Sequence, residues 1–281
     1  MTNILTISSY NIWFDRTIYL ERTKSLCEYI NNINTDIVCL QEVRPEVYKL
    51  LITILKDFPY HYPKEINISY GCVTFSKYPI LQCTDIKYPT SAMNRSLHIL
   101  KINYPYNVKL INTTTNAKAE YLTLKNIEII IGNSHFESLF DKISYNKEKL
   151  KQYEMARTTL DSFYQTHGNV ILCSDTNIMD HEEKYFDAQF EQNSWSCCWK
   201  IKGTDNNKFT YDYENNIYVN KFRSRLDRIL FKSNNCILTH FDIIPKPTIN
   251  KYNEYENSDD IEPSDHFGIY ATFAVNINKQ N

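Results

Sequence analysis

Several short apolar runs in this chain stop at an acid, an amide or an imidazole side chain. Short runs of this kind are typical of buried β-strands. The ends of strands in a packed sheet can converge on one rim, where a rigid scaffold fixes polar groups. The chain is therefore expected to fold around sheets that bring together Asn11 in SSYNIW, Glu42 in CLQEV, His135 and Glu137 in GNSHFES, Asp175 and Asn177 in CSDTN, and Asp265 and His266 in PSDHFG.

The spacing of apolar residues predicts strands and helices in alternation at the start of the chain. Residues 4–7 and 36–43 are strand-like, whereas apolar residues recur at helical spacing after Leu20 and after Pro45. Proline is tolerated in the first turn of a helix, so Pro45 marks a helix start. Further strands are predicted at residues 71–75, 96–102, 127–131, 169–173, 225–231 and 267–275, with a helix over 146–164 and a long hairpin or insertion over 107–125.

Length and composition indicate one α/β domain. The 281 residues suit one large domain or two small ones, and the sequence has five glycines and no Gly/Ser-rich linker. We therefore predict a single domain over residues 1–281. Its expected fold is a four-layer α/β sandwich, in which two central, mostly antiparallel sheets are flanked by helices.

Charge and cysteine usage restrict the class of protein. A net charge of −2 argues against a protein that coats nucleic acid, because non-specific binders are usually basic, but it allows an enzyme with a local basic groove. The eight cysteines show no C-x-x-C spacing and are interpreted as reduced thiols. The first residues read as a strand rather than a signal peptide, and no apolar run approaches the ~20 residues of a membrane span. We expect an intracellular monomer of the nucleus or cytoplasm, neither secreted nor membrane-bound.

The polar residues at the strand ends suit hydrolysis of a phosphodiester. Mg²⁺ prefers oxygen ligands and is usually held by one or two carboxylates, a role that suits Glu42, with Asn11 orienting the ion or the phosphate. Asp175 can position and deprotonate water while Asn177 fixes its orientation. A cationic His266 can donate to the phosphate oxygens. That histidine needs a carboxylate partner, which either Asp227 in SRLDRIL or Asp265 could supply.

Each of these residues, taken alone, has an ordinary structural explanation. An isolated Asn at a strand end is more often a turn residue, and an isolated Glu after an apolar run more often lies at the surface. An Asp-His pair is commonly a surface contact. The Asp-x-Asn of CSDTN also resembles a fragment of a calcium loop, but it lacks the glycine and the distal glutamate of that loop. The ordered set of motifs, rather than any one of them, favours a catalytic site.

The order SSYNIW, LQEV, SHFES, SDTN, LDRILF, PSDHFG resembles the endonuclease/exonuclease/phosphatase superfamily, whose fold is DNase I-like. Within it, the chain is most similar to the 5′-tyrosyl-DNA phosphodiesterases. Thr176 gives the Asp-Thr-Asn form of that family, and SHFES is similar to its Ser-His-Leu-Glu-Ser. PTSAMNRSL resembles its segment that ends in a substrate-facing arginine, here Arg95. The similarity runs from about Leu5 to about Val275, nearly the whole chain.

The resemblance implies an activity. Members of the family cleave the phosphodiester between a tyrosine and a DNA 5′ end, which frees trapped topoisomerase adducts and leaves a 5′-phosphate. The implied cofactor is Mg²⁺, with Mn²⁺ as an alternative, and the implied partner is DNA with a single-stranded 5′ end that carries a tyrosyl peptide. RNA–protein linkages are further candidate substrates, because the chemistry at phosphorus is the same.

The resemblance also implies a role for each residue. The metal site would consist of Asn11 and Glu42, with Asp265 at its rim. Asp175 would activate water beside Asn177, and Asp227 would pair with the catalytic histidine. His135 and His266 would donate to the phosphate and the transition state, and the implied substrate-binding residues are Arg95, Glu137, Tyr211 and Leu226.

The chain departs from the family pattern at three positions. Ser174 replaces the glycine before Asp-Thr-Asn, which is tolerated where φ is negative. Tyr211 stands where the family commonly has Trp, and Leu226 replaces an aromatic residue. Because a stacked base contributes ~1–3 kcal/mol, the changes at Tyr211 and Leu226 predict weaker stacking of DNA.

Two alternatives to a tyrosyl-DNA phosphodiesterase remain. One keeps the superfamily and changes the substrate: an abasic-site or other DNA nuclease, an RNA phosphodiesterase, or an inositol or lipid phosphatase. Thr176 and SHFES count against it. The other is a non-catalytic binding module, which predicts the loss of Glu42, Asp175 or His266, and none of these is missing.

Overall fold

The computed structural model describes residues 3–112, 119–138, 144–246 and 261–276. Within these ranges the strands form two six-stranded sheets and a short two-stranded ribbon. The first sheet has the spatial order β13 (Cys236–Ile243), β14 (Ile269–Val275), β1 (Asn3–Asn11), β2 (Ile37–Val43), β4 (Gly71–Ser76) and β3 (Tyr60–Tyr62).

The second sheet has the spatial order β5 (Ile80–Lys87), β6 (Ser96–Asn112), β7 (Ala119–His135), β8 (Asn169–Asp175), β12 (Asp227–Ser233) and β9 (Ser196–Cys197). The ribbon pairs β10 (Tyr211–Asp212) with β11 (Arg223–Ser224). The helices are α1 (Tyr19–Asn32), α2 (Pro45–Ile54), α3 (Ser144–His167), α4 (Glu183–Phe190) and α5 (Cys198–Lys202).

Each large sheet is mostly antiparallel with one parallel pair. β1 runs parallel to β2, and β7 runs parallel to β8, whereas the other described neighbours are antiparallel. The carboxyl ends of a parallel pair lie at the same edge of the sheet. The four strands that end at Asn11, Val43, His135 and Asp175 therefore deliver their last residues in two adjacent pairs.

Alternating side chains produce the four layers that the sequence predicted. In β2, Ile37 and Cys39 lie in the core between the two sheets, whereas Val38 and Leu40 face the layer of α1 and α2. A third apolar cluster packs α3 and α4 on the outer face of the second sheet. Strands that are buried on both faces read as continuous apolar runs, which is the pattern of DIVCL and VILCS. The predicted sandwich is confirmed.

Several predicted boundaries need correction. The strand predicted over 225–231 begins at Asp227, because the Leu226 N–H donates to Thr210 Oγ1 (3.0 Å) and the Leu226 carbonyl accepts from Thr176, outside the ladder. The strand predicted over 267–275 begins at Ile269, because the Phe267 N–H donates to Thr210 O. The helix predicted over 146–164 extends from residue 144 to residue 167.

Four further expectations concern the predicted hairpin, the cysteines, Ser174 and membrane spans. β6 and β7 pair continuously from Leu97 with Ser134 to Asn112 with Ala119, so residues 107–112 and 119–125 are paired strands, as a long hairpin requires. The rest of the predicted hairpin or insertion, residues 113–118, lies outside the described residues. All eight cysteines are free, and Cys83 is the exposed one. Ser174 does not have a positive φ, as the replacement of glycine requires. Among the described residues, no helix is long and apolar enough to cross a membrane.

Candidate functional site

A cavity of about 600 Å³ opens at the edge of the sandwich where the parallel pairs end. Of the residues predicted from the sequence, it is lined by Asn11, Glu42, Asp175, Asn177, Tyr211, Leu226, Asp265 and His266. A second cavity of about 630 Å³ lies next to it, and Arg95 and His135 line it. Asp227 and Glu137 are buried behind these walls.

Strand register places three of the catalytic candidates side by side. His135 ends β7 directly opposite Asp175, which ends the parallel strand β8. Asp227 begins the antiparallel strand β12 and is also paired with Asp175. A one-residue slip would turn every side chain to the other face, so the apolar register of these strands also sets the positions of the three polar groups.

Asp175 is the most highly connected side chain of the cavity. Asn11 Nδ2 donates to its Oδ2 across 2.8 Å, and the Asn177 N–H donates to its Oδ1 across 2.9 Å. His135 Nε2 lies 3.2 Å from the same Oδ2. Although burial alone would raise it, His135, His266 and Asn11 hold the pKa of the Asp175 carboxyl well below its usual range. Asp175 is therefore ionised, and it can orient a water molecule more readily than it can retain a proton.

His266 is held by Asp227 rather than by Asp265. His266 Nδ1 donates to Asp227 Oδ2 across 2.8 Å, and both side chains are buried. Burial opposes the charged ring, but Asp227 and then Asp175 raise the pKa of His266 well above its usual value. Burial likewise raises the pKa of Asp227 against the charge of His266. The ring is thus an imidazolium whose Nε2 lies 4.0 Å from Asp175 Oδ2. Of the two partners that the sequence left open, the geometry selects Asp227.

Two hydroxyl groups support this pair. Thr210 Oγ1 accepts from the Asp227 N–H, and Ser264 Oγ accepts from the His266 N–H, at 3.0 and 3.1 Å. Ser264 Oγ also donates to the Asn11 carbonyl across 2.6 Å. Tyr211, next to Thr210, sets its ring edge-on to the His266 ring at 5.2 Å. Ser264 belongs to the PSDHFG motif, but no local signal in the sequence marks the role of Thr210.

Glu42 occupies a conformation that an ordinary residue rarely adopts. Its φ of 60° lies in the left-handed region, which costs about 1–3 kcal/mol for such a residue. Its Oε2 accepts from the Phe14 N–H at 2.9 Å, and its Oε1 lies 3.8 Å from His135 Nε2. Burial raises the pKa of the partly buried Asp265 to about 6, opposed by His266 and increased further by the charge of Glu42. Two carboxyl groups that repel each other at the mouth of a cavity fit a site for a hard cation.

A different trio also offers metal-ligand atoms close together. One ligand atom each from Asp175, Asp227 and His266 falls within 4.8 Å of the others. The Nδ1–H of His266 is already donated to Asp227, and its raised pKa keeps the ring protonated. A protonated imidazole offers no lone pair to a metal. The protonated ring makes this trio poorly suited to a metal ion, whereas Glu42, Asp265 and Asn11 line the same cavity and supply oxygen atoms.

His135 connects the two cavities. Arg95 Nη1 donates to His135 Nδ1 across 2.7 Å, because a guanidinium has donors alone. The ring proton is then on Nε2, which faces Asp175 and Glu42. Nε2 makes no well-aligned hydrogen bond within the described part of the chain, so its proton is available to a ligand. Arg95 also lies over the Tyr70 ring at 5.4 Å.

Glu137 does not fit the substrate contact that the resemblance implied. The side chain is fully buried, and its Oε2 accepts from Ser91 Oγ (2.6 Å) and Gln152 Nε2 (2.8 Å). Its Oε1 accepts from the Met93 N–H at 3.1 Å. Glu137 therefore anchors the segment that leads to Arg95 and has no face toward either cavity. The direction of this side chain had no signal in the sequence, because the residue lies beyond the end of β7.

The cavity also contains residues that the sequence did not single out. Trp13 and Phe14 follow Asn11 and line the wall next to Glu42, where position alone could have suggested them. Lys149 and Glu182 line the opposite part, and they form a buried ion pair of 2.7 Å. They come from α3 and from the turn before α4, so no local pattern joins them.

Comparison with protein families finds one match over most of the chain. The profile described as "Endonuclease/Exonuclease/phosphatase family" matches residues 8–266. Among curated proteins, tyrosyl-DNA phosphodiesterase 2 of Xenopus tropicalis is 24% identical over 93% of this chain, which spans 63% of the length of that relative. The protein of the same name from Bos taurus is 23% identical over 97% of this chain and 68% of its own length.

Solved structures show the same fold at low identity. TDP2 of D. rerio complexed with single-strand DNA product aligns with a TM-score of 0.73 at 22% identity, over 96% of this chain and 98% of its own. Truncated TDP2 of Caenorhabditis elegans gives 0.75 at 20% identity, with coverage of 97% and 98%. A mannosyl-6-phosphatase of Bacteroides thetaiotaomicron gives 0.70 at 14% identity, with coverage of 95% and 98%. Relatives of this fold thus differ in substrate.

Proposed function

Because the chain belongs to the Endonuclease/Exonuclease/phosphatase family, we propose that it is a metal-dependent phosphodiesterase that hydrolyses the bond between a tyrosine side chain and a DNA 5′-phosphate. The observation that carries this proposal is the pairing of an ionised Asp175 with a cationic His266 in one cavity, 4.0 Å apart. Such a pair suits a reaction that needs a water-binding carboxylate beside a donor for phosphate oxygens.

The attacking group is a water molecule bound by Asp175. As the water oxygen forms its bond to phosphorus, its proton passes by way of the Asp175 carboxylate to solvent, because the lowered pKa of Asp175 prevents it from retaining the proton. The bond between phosphorus and the tyrosyl oxygen breaks, and the departing phenolate takes a proton from solvent. The leaving group is a phenol with a pKa of about 10, so it departs more easily than an alkoxide would. The products are a 5′-phosphate on the nucleic acid and a free tyrosine side chain.

Donors for the phosphate oxygens come from the two histidines. His266 Nε2–H and His135 Nε2–H both point to the space around Asp175 Oδ2, with nitrogens at 4.0 and 3.2 Å from it. A phosphorane-like transition state gathers negative charge on its equatorial oxygens, and fixed donors in a partly closed site stabilise that charge. Asp227 keeps His266 oriented and protonated throughout.

Glu42, Asp265 and Asn11 would hold the cation, because they supply the oxygen ligands that Mg²⁺ prefers, and Mn²⁺ shares this preference. The bound ion would neutralise charge on the phosphate and on the departing tyrosyl oxygen. The φ of 60° at Glu42 supports this role, since backbone strain is concentrated at functional sites.

The residues that line the two cavities favour a substrate that consists of a nucleic acid with an aromatic adduct. Trp13, Phe14, Tyr211 and Phe222 line the first cavity, and aromatic rings of this kind stack on bases of single strands. The relatives named tyrosyl-DNA phosphodiesterase 2 and the relative crystallised with single-strand DNA product support DNA as the polymer. Arg95 and Tyr70, in the second cavity, offer a cationic and aromatic surface to the tyrosyl side of the bond.

The test is cleavage of a single-stranded oligonucleotide with a 5′-phosphotyrosyl end, in Mg²⁺, in Mn²⁺ and in EDTA. An abasic-site duplex, a plain oligonucleotide, a tyrosyl-linked RNA and an inositol phosphate serve as comparisons. The proposal expects release of a 5′-phosphate end that requires the metal, with the duplex, the plain strand and the inositol phosphate left intact. An intact tyrosyl bond with cleavage of one of those three would assign the site to another substrate of the family.

A further inference from the structure

Lys149, in α3, contacts the turn that follows β8, although the two segments are far apart in the sequence. The residue belongs to α3 and is 7% exposed, yet it lines the same cavity as Asp175. Its Nζ donates to the Asn177 carbonyl at 3.0 Å and to Glu182 Oε2 at 2.7 Å. Glu182 Oε2 also accepts from the Met179 N–H at 2.9 Å. One buried ion pair therefore ties α3 to both sides of the turn that follows β8.

Three of the four polar groups of Asn177 form hydrogen bonds. Its N–H donates to Asp175 Oδ1 at 2.9 Å, its Nδ2 donates to the Phe136 carbonyl at 3.0 Å, and its own carbonyl accepts from Lys149. Its φ of 49° is left-handed, a conformation that Asn tolerates but that still needs support from its surroundings. Within the described ranges, Oδ1 is the polar atom of Asn177 that has no hydrogen-bond partner.

We propose that Lys149 is a positioning residue for the attacking water and acts through Asn177. By donating to the Asn177 carbonyl, Lys149 holds the backbone orientation of Asn177 and so keeps the side-chain Oδ1 directed toward the cavity. Asp175 then accepts a hydrogen bond from one O–H of the water and Asn177 Oδ1 accepts a hydrogen bond from the other, which directs an oxygen lone pair toward phosphorus. This inference rests on the proposed function, since it concerns the water of that reaction.

A purely structural role explains the ion pair less well. Well-packed apolar side chains usually stabilise a protein as much as a buried ion pair does, because both charges must be desolvated. An apolar replacement of Lys149 could not hydrogen-bond the Asn177 carbonyl, which is the contact that links the pair to the water site. The exposed neighbour Lys151 on the same helix, 4.0 Å from Glu148, provides a matched lysine without that contact.

The experiment measures kcat and KM of Lys149→Met, Asn177→Ala and the double variant on the phosphotyrosyl oligonucleotide, with Lys151→Met as the control. We expect Lys149→Met to lower kcat by roughly 10- to 100-fold, as a small misplacement of a reacting group does, with KM changed less than about 2-fold. The double variant should be no slower than Asn177→Ala, because both changes remove the same orientation of the water. Lys151→Met should match the wild type.

A second variant separates positioning from loss of fold. Combining Lys149→Met with Glu182→Gln leaves no unpaired charge buried, and the new amide oxygen at position 182 can still accept from the Met179 N–H. Thermal melting should therefore report a folded protein while kcat stays low. A wild-type kcat in Lys149→Met, alone or combined with Glu182→Gln, would overturn the inference. An effect on KM without a change in kcat would overturn it too, as would additive decreases in kcat when Lys149→Met is combined with Asn177→Ala. Failure of the wild type to cleave any phosphodiester would instead overturn the proposed function, and the inference with it.

Discussion

The Nδ1–H of His266 is donated to Asp227 Oδ2 across 2.8 Å, and both side chains are buried, with His266 in the cavity wall and Asp227 behind it. The carboxylate keeps the imidazole charged although burial by itself would lower its pKa. A group whose pKa is raised keeps its proton as the pH rises, until the pH passes the raised value. The wild type should thus retain the donor form of His266 well above the ordinary histidine range of about 6.5.

Asp227→Asn should reverse this effect. Without the carboxylate, burial lowers the pKa of His266, so the basic limb of the kcat profile should move to lower pH and kcat near pH 7 should fall. The measurement is kcat from about pH 5 to pH 9 for both proteins. Asp205→Asn, a change in a turn away from the cavity, is the control. An unchanged basic limb would show that Asp227 does not set the charge of His266.

Replacement of His266, which removes the hydrogen-bond donor, should lower kcat more than Asp227→Asn, which leaves the imidazole in place. His266→Ala should lower kcat by roughly 10²–10³-fold, as loss of one transition-state donor does, and KM should change little. His240→Ala is the matched control, because His240 is exposed and pairs with Tyr270 far along β13 and β14. A change confined to KM would contradict the role of His266 in the transition state.

Glu42→Gln tests the assignment of the cation. The amide keeps the size of the side chain and an acceptor for the Phe14 N–H, but it removes the charge that a hard cation needs. Metal-dependent turnover should be abolished while the melting temperature changes little. Glu46→Gln, at a carboxylate that pairs with Arg44 near the surface, should behave like the wild type. Undiminished turnover with the wild-type dependence on Mg²⁺ would remove Glu42 from the metal site.

Glu137→Ala should act on stability. Its loss leaves Ser91 Oγ, the Met93 N–H and Gln152 Nε2 without their buried acceptor, and each such group costs about 1–3 kcal/mol. The free energy of unfolding, measured with denaturant, should fall by about 3 kcal/mol or more. Glu154→Ala, at an exposed position of α3, should change it by less than about 0.5 kcal/mol. Equal stability of the two variants would refute the anchoring role of Glu137.

The sequence was sufficient for the groups that stand at strand ends. Asn11, Glu42 and Asp175 lie at the carboxyl ends of apolar strands, and these are local signals. The expectation that Asp265 and His266 also close a strand was wrong, because both precede β14, which begins at Ile269. The layers of the fold were predictable for the same reason, because strands buried on both faces are apolar throughout. Edge strands were not predictable in this way. β5 exposes residues such as Gln82 and Cys83, so its apolar pattern is too weak to identify.

What the sequence could not show depends on contacts between distant segments. Lys149 meets Asn177 across 28 positions because α3 packs against the second sheet. β12 begins at Asp227, and not earlier, because Thr210 captures the backbone of Leu226. The choice of Asp227 over Asp265 as the partner of His266 likewise followed from strand register, which no single motif contains.

The central claim is that water held beside Asp175 attacks phosphorus and displaces tyrosine. The most direct measurement is cleavage of the 5′-phosphotyrosyl oligonucleotide, with Mg²⁺ present, in water labelled with heavy oxygen, followed by mass spectrometry of both products. The account predicts one labelled oxygen in the 5′-phosphate and an unlabelled tyrosine. Label in the tyrosine, or a tyrosyl bond that stays intact while the metal is present, would contradict it.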